Sequence, residues 1–524
     1  MATAKRPDRP RRTGHRVAVV GGGMAAARLV QQLAAARMSA EAMGAADGIG
    51  VTVIGEESHA AYNRVLLAEV LAGRYAPEVI ELPAPAPSPA FAYERLRGVR
   101  AVRLDRAARR VQCDDGRSVP YDTLVLATGS NPVLPPLRGL FEPGGRELPY
   151  GVHAFRTMAD CLALAEAVRP GGRAVVIGGG LLGVSAARAL ALRGAQTVLA
   201  HQGEHLMERQ LDAGASRLLR RHVEALGVEV HTECRVRGLL TRRTGTASGT
   251  PREAATGSRP GTARHTPYES SRAAEAVELA DGFRLDAEIV VLACGVRPRV
   301  GLAQAAGLRV ARGIVVDDQL RTSDPRVHAI GDCAEHDGVL YGLAGPAQEQ
   351  ADALARIFTH DARIPVDDAP TSARAPGSAV PTGPSAQPGR AAPLPRYSGT
   401  RALTRLTLAT SPITPAAPAA SSALTISPFP QLPLDLAAFG DVEPAPGDDV
   451  VHLCDATRGA YRKVVVRGNR LVGGILLGDL GGVGALARTW EDDEPLPSAP
   501  LLHLLTHDES GGTPHGPLTH HGGS

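Results

Sequence analysis

Cysteine is sparse and scattered in this chain of 524 residues. Cys113, Cys161, Cys234, Cys294, Cys333 and Cys454 include no close pair of the kind that zinc, iron–sulfur or redox-disulfide sites use, so no metal site is expected. Small buried thiols in a reducing compartment are the expected reading. Lysine stands only at Lys5 and Lys463 while arginine is abundant, a bias of coding more than of function. The formal net charge of +3 is too small for a broad electrostatic footprint, so no nucleic-acid partner is expected. No apolar run reaches about 18 residues. The basic start MATAKRPDRPRRTGHR also lacks the apolar stretch of a secretory signal. The expected location is therefore the cytoplasm, with no membrane contact.

What is present is enough for several folded domains: 44% of the residues are apolar and 21% charged. A stretch rich in glycine, serine, threonine and proline, 241–274, separates two strand-like segments and reads as an expanded, disordered hairpin loop. A second such stretch, 362–395, follows an amphipathic segment and reads as a disordered linker. A third apolar region comes next, in which YRKVVVRGNRLVGGILLGD alternates on both sides of Gly468-Asn469 and predicts a β-hairpin. The tail 506–524 is polar and carries His507, His515, His520 and His521 without a fixed ligand spacing, which favours disorder over metal binding.

The chemistry lies in two glycine turns about 157 positions apart. After the apolar strand Val17 to Val20, the residues Gly21, Gly23 and Ala26 fill the three small positions of a G-x-G-x-x-G/A fingerprint. The first permits a tight turn, the second a close approach to a pyrophosphate, and the third close packing of helix on strand. The helix that follows offers free N–H groups and a partial positive charge to phosphate. The next strand, VTVI, ends at Glu56, a carboxylate placed to accept hydrogen bonds from ribose hydroxyls. In the second turn Gly178, Gly180 and Gly183 complete the fingerprint, but its second strand ends in Ala200-His201 with no acid, and Glu204 comes only a few residues later. A missing acid removes repulsion against a 2′-phosphate and tilts slightly toward NADPH, but no clear arginine pocket replaces it, so NADH against NADPH stays open. One bound dinucleotide needs one pyrophosphate cradle, so two turns suggest a flavin and a nicotinamide.

With VLATGS at 125–130, VVLACGVRP at 290–298 and HAIGDCAE at 328–335 in the same order, the chain resembles the large flavoprotein family with two dinucleotide-binding domains. The resemblance implies an α/β fold with two Rossmann-like dinucleotide-binding domains, the NAD domain inserted in the FAD domain, and a small C-terminal α+β domain. It implies FAD and NAD(P)H as cofactors. It places Ala127, Thr128 and Gly129 as backbone beside the flavin cofactor, and Asp332, after Gly331, as acceptor for the ribityl chain. The helix entered through Pro346 would face the flavin with its amino terminus. More narrowly, ESHAAYNRVLLAEVLAG and the C-terminal stretches resemble the flavoprotein part of assimilatory nitrite reductase large subunits and the electron-transfer subunits of assimilatory nitrate reductase. By that resemblance Arg64 contacts FAD.

The implied organisation is an FAD-binding domain in two parts, 1–150 and 286–361, around an NAD(P)-binding domain, 151–285, with a C-terminal reductase-like domain at 396–505. The iron–sulfur and sirohaem ligands of nitrite reductases have no counterpart here, so electrons are expected to leave for an acceptor protein. That acceptor would be a nitrate or nitrite reductase catalytic subunit, or a ferredoxin-like protein. The alternatives are an NAD(P)H-dependent ferredoxin or rubredoxin reductase and, in another class, a non-catalytic flavoprotein nucleotide sensor or scaffold. Related ferredoxin-type reductases pair a lysine with a glutamate near the flavin. The aligned positions hold Glu69 and Ser185, which reads as joint loss of a charge pair. No side chain is named as catalytic, and the third domain would serve a homodimer or partner docking, between which the residues do not choose.

Overall fold

A computed structural model describes residues 14–42, 48–86, 88, 91–243, 272–361, 395–410, 433–497 and 501–506. The chain divides into two units: residues 1–66, 77–131 and 296–400 form one, and residues 67–76, 132–295 and 401–524 the other. The breaks between the two units along this part of the chain fall at 131/132 and 295/296. The helix Leu67–Leu71 also goes with the second unit, because Leu67, Ala68, Val70 and Leu71 are all buried and it packs on the helices Met158–Ala167 and Leu181–Leu192.

The first unit is built on a parallel five-stranded sheet in the order Val327–Ala329, Thr123–Leu126, His15–Val20, Ile49–Gly55, Phe91–Arg97. Parallel strands covered on both faces read as continuous apolar runs, and Val17 to Val20 and Leu124 to Leu126 are buried accordingly. The helix Met24–Ala42 follows the first strand and buries Ala26, Leu29, Val30 and Leu33, the i, i+3, i+4, i+7 stripe of one helical face. It packs along the helix Ala344–Asp361, to which Arg28 is tied by a two-pronged ion pair with Asp352 at 2.7 and 2.9 Å. Pro346 sits in the first turn of that second helix, where its missing N–H leaves no bond unmade.

The second unit repeats the theme. Its parallel sheet runs Val228–His231, Gln196–Ala200, Arg173–Ile177, Ile289–Leu292, Val152–Ala154. An antiparallel three-stranded sheet of Val236–Arg243, Arg272–Leu279 and Arg284–Asp286 lies in the same unit. Its first ladder continues to Arg243 opposite Arg272, so the two ends of the expected loop 241–274 are strand; residues 244–271 lie outside the described residues. So do the N-terminal residues 1–13, the linker residues 362–394 and the tail residues 507–524 with their histidines.

The C-terminal part is an antiparallel sheet in the order Leu403–Leu408, Leu434–Gly440, Arg470–Leu477, Ala460–Arg467, Asp449–Asp455. Gly468 takes φ +62° in the two-residue turn that joins Arg467 to its partner Arg470, the hairpin that the alternation predicts. The helix Val483–Glu491 covers the sheet with Val483, Leu486, Ala487 and Trp490, and Trp490 lies 5.2 Å from the Phe439 ring. The architecture is α/β, with two Rossmann-like sheets and a small α+β C-terminal domain.

Candidate dinucleotide sites

Both glycine turns stand at the carboxyl ends of their parallel strands, between strand and helix, where open α/β sheets bind ligands. In the first, Gly21 takes φ +114° and donates its N–H to Ile54 O at 2.8 Å, and a Cβ there would collide with the Ala127 carbonyl. Gly23 is the opposite case: a Cβ would meet nothing within 4 Å, so its backbone faces open space. Ala26 is buried where helix meets strand.

The second turn copies this geometry. Gly178 takes φ +116°, donates to Ala200 O at 2.9 Å, and has no room for a Cβ against Ala293 O. Gly180 faces open space and begins the helix Leu181–Leu192 with no side chain capping it, and Gly183 packs so closely that a Cβ would strike the Gly178 carbonyl. Each turn therefore combines one strained glycine, one glycine open to a ligand and helix N–H groups without a side-chain cap in the second. That arrangement fits a pyrophosphate.

Around the first turn the structure brings together most of the residues singled out in the sequence. Thr128 Oγ1 donates to Arg299 O at 2.7 Å and Arg299 N–H to Gly129 O at 2.9 Å, which fixes Arg299 on the ATG turn. Its guanidinium reaches Glu56, with Nη2 2.5 Å from Oε2. The sequence reading missed this arginine, although it directly follows the GVRP motif. Gly331 takes φ +79° and donates to the buried Gln350 Oε1 at 2.7 Å, and Ser130 Oγ donates to Asp332 Oδ2 at 2.8 Å. Arg64 donates to Glu57 at 2.7 Å, as does the Tyr62 hydroxyl, and its guanidinium lies over the Tyr62 ring. Burial works against the Arg64 charge, but Tyr62, Glu57 and Asp332 outweigh it and hold the group above its ordinary value.

Two findings in the second unit depart from expectation. The carboxylate of Glu69 is not left over from a lost pair: it is bound by Arg188, one helical turn beyond Ser185, and by Arg74 Nη1 at 3.0 Å. Ser185 spends its hydroxyl on Leu181 O. The pair is thus present with its charges exchanged between helices, and the signal was an arginine at i+3. His201, at the strand end where an acid was missing, turns its ring onto the glycine loop and accepts the Gly179 N–H at Nδ1, 3.1 Å away.

All six cysteines are free, and burial raises the thiols of Cys161, to about 12, and Cys294, to about 11. Cys113, Cys161 and Cys333 are buried as expected, but Cys454 is exposed, because it lies on the edge strand Asp449–Asp455. Among the described residues, no helix is long and apolar enough to cross a membrane.

Residues 15–351 match the family model described as pyridine nucleotide-disulphide oxidoreductase. The chain belongs to this family. Residues 432–489 match a second model, the rubredoxin NAD+ reductase C-terminal domain. Within the pyridine nucleotide-disulphide oxidoreductases, the chain is 32% identical over 353 residues to the assimilatory nitrate reductase electron transfer subunit of Bacillus subtilis (strain 168), covering 67% of this chain and 40% of that protein. It is 30% identical over 461 residues to the nitrite reductase [NAD(P)H] of the same organism, covering 88% of this chain and 45% of the relative. The chain thus spans less than half the length of these two relatives. The fold is similar to that in the covalent putidaredoxin reductase–putidaredoxin complex, with a TM-score of 0.67 and 20% identity over 95% of this chain and 99% of that one. Family membership makes the chain an oxidoreductase, and the cofactors that go with the family are FAD and NAD(P)H.

Proposed function

We propose that the chain is a cytoplasmic FAD-dependent oxidoreductase that takes electrons from NAD(P)H and passes them to a redox partner protein in nitrate or nitrite assimilation. The observation that carries the reading is the pair of glycine turns, alike in strain and in the open face at their middle glycine. In this reading Gly21, Gly23 and Ala26 hold the FAD pyrophosphate, Glu56 its ribose, and Ala127, Thr128, Gly129, Gly331 and Asp332 the flavin end, with Arg64 beside them. Gly178, Gly180 and Gly183 hold the pyrophosphate of NAD(P)H. Bound FAD supplies the conversion of a two-electron donor into single-electron deliveries.

The chain's own contribution is orientation and electrostatics. Arg64 and Arg299 bring positive charge to the first site, and Asp332 is kept in place by Ser130. In domain terms, the FAD-binding domain combines the first part of the chain with residues 296–361, and the NAD(P)-binding domain follows residue 131.

Anaerobic addition of NADH or NADPH should bleach the bound flavin, and reduced protein should then reduce nitrate or nitrite when a co-purified catalytic subunit is present. No bleaching by either nucleotide would refute the reading. A second reading, delivery to a ferredoxin- or rubredoxin-like protein, is favoured by the C-terminal match at 432–489. Faster reduction of such a carrier than of the nitrate or nitrite reductase subunit would select it.

A further inference from the structure

The proposed NAD(P)H site contains an acid that the strand-end position lacks. The loop after His201 does not run away from the glycine turn. Met207, buried and in the left-handed region at φ +54°, donates its N–H to Gly179 O at 2.9 Å, and so folds the loop back on that turn. Non-glycine residues adopt this conformation only when their surroundings hold them there. The next residue, Glu208, is carried with it. Its carboxylate lies against Gly203, where any Cβ would collide with it, three residues beyond the strand end at Ala200. Among the described residues the exposed Glu208 carboxylate makes no hydrogen bond or ion pair, so it is free to meet a ligand from the solvent side. Glu204, the acid nearer in sequence, is likewise exposed but lies 3.7 Å from His205.

His201 supplies the complement. Because Nδ1 accepts from Gly179, the neutral ring carries its proton on Nε2, and that buried nitrogen has no partner in the chain. One buried donor without a partner and one solvent-facing carboxylate without a protein partner thus lie in the segment that follows the strand beside the second turn. A vicinal diol satisfies both, accepting from the imidazole and donating to the carboxylate. A phosphate has no hydrogen to give the carboxylate and sets like charges against each other.

We infer that Glu208, with His201, is the specificity determinant of the second dinucleotide site and selects an adenosine ribose with free hydroxyls, as in NADH, over one carrying a 2′-phosphate. The inference rests on the function proposed above, which assigns the second turn to NAD(P)H.

Isothermal titration of the full chain with ADP-ribose and with 2′-phospho-ADP-ribose tests it without flavin reduction. ADP-ribose should bind at least about tenfold tighter. Glu208→Gln should narrow that ratio by at least about fivefold, chiefly by improving the phosphorylated ligand. Arg209→Gln, which removes the neighbouring cation, should leave the ratio in place. Equal or tighter binding of the phosphorylated ligand, or an unchanged ratio in Glu208→Gln, overturns the inference while leaving the nucleotide site intact. Loss of phosphorylated-ligand binding alone in Arg209→Gln also overturns it. Failure of both ligands to bind the unaltered chain removes the assignment of the second turn, and the inference falls with it.

Discussion

Arg188 and Glu69 form an ion pair in the interior of the second unit, with the arginine fully buried and its Nη1 also donating to Ala409 O at 2.7 Å. The two residues come from separate helices, and Arg74 shares the carboxylate. Burial pulls the Arg188 guanidinium below its ordinary value, and Glu69 opposes that pull. Glu69→Gln keeps an acceptor oxygen but leaves the buried cation without a countercharge and should cost about 3–5 kcal/mol. The double variant Glu69→Met with Arg188→Met should recover most of the loss, because a buried pair replaced by apolar side chains no longer carries an uncompensated charge. Urea midpoints of the three variants check the pattern; equal losses in the single and double variants would contradict it.

The glycines of the second turn should separate folding from binding. Gly180 has φ −79° and open space at its Cβ, so Gly180→Ala should change stability by no more than about 0.5 kcal/mol while weakening ADP-ribose binding. Gly183→Ala forces a Cβ onto a backbone carbonyl and should cost about 1–3 kcal/mol. Thermal melts and ligand titration on the same samples distinguish the two.

Asp212 joins the nucleotide-binding and C-terminal parts of the second unit. It caps the helix Ala213–Ala225 through the Ala215 N–H at 3.0 Å, and accepts from the Tyr461 hydroxyl at 2.6 Å and from Lys463 at 2.8 Å. Burial alone would raise its carboxyl; the Ala215 N–H, Lys463 and Tyr461 outweigh burial and hold it below the usual range. Asp212→Ala should therefore cost more than the roughly 1 kcal/mol of a lost cap, since Lys463 is left buried without its partner. Asp212→Asn, which keeps the cap, should cost less. Hydrogen exchange at the Ala215 amide should accelerate in the alanine variant and stay near its original rate in the asparagine variant.

Stability should fall on mild acidification. Burial depresses the imidazoles of His153 and His328 to about 4. A histidine whose folded value lies below its unfolded value of about 6.5 binds its proton more readily when unfolded, so stability is full above that pH and declines as pH drops toward 4. Each group contributes up to about 3 kcal/mol to the decline. His328→Gln should flatten the fall in melting temperature over that window; an unchanged pH profile would show that His328 does not contribute.

The fold was legible wherever a residue type answers a local backbone demand. Gly21 and Gly178 occupy positive φ at points where a side chain would strike a carbonyl, and Gly468 closes a two-residue hairpin turn. Those demands appear in any short window of sequence. The site was less legible where partners are far apart in the chain. Glu56 meets Arg299 and Glu69 meets Arg188 only after the chain has folded, and an arginine-rich composition gives no hint of which arginine is used. His201 was visible as a missing acid, but the hydrogen bond that sets its tautomer depends on how the ring is turned. The short strands Val152–Ala154 and Val327–Ala329 are too brief to carry a periodicity, and pairing with longer neighbours holds them in their sheets.

The ladder that ends with Arg243 opposite Arg272 places the two ends of the intervening segment side by side. Lengthening a connection that starts and finishes at one point costs little, about 0.6 kcal/mol for each doubling. The site between these two arginines is consequently a natural splice point for protein engineering. An affinity handle or a fluorescent domain joined between Arg243 and Arg272 would start and finish at one point of the sheet.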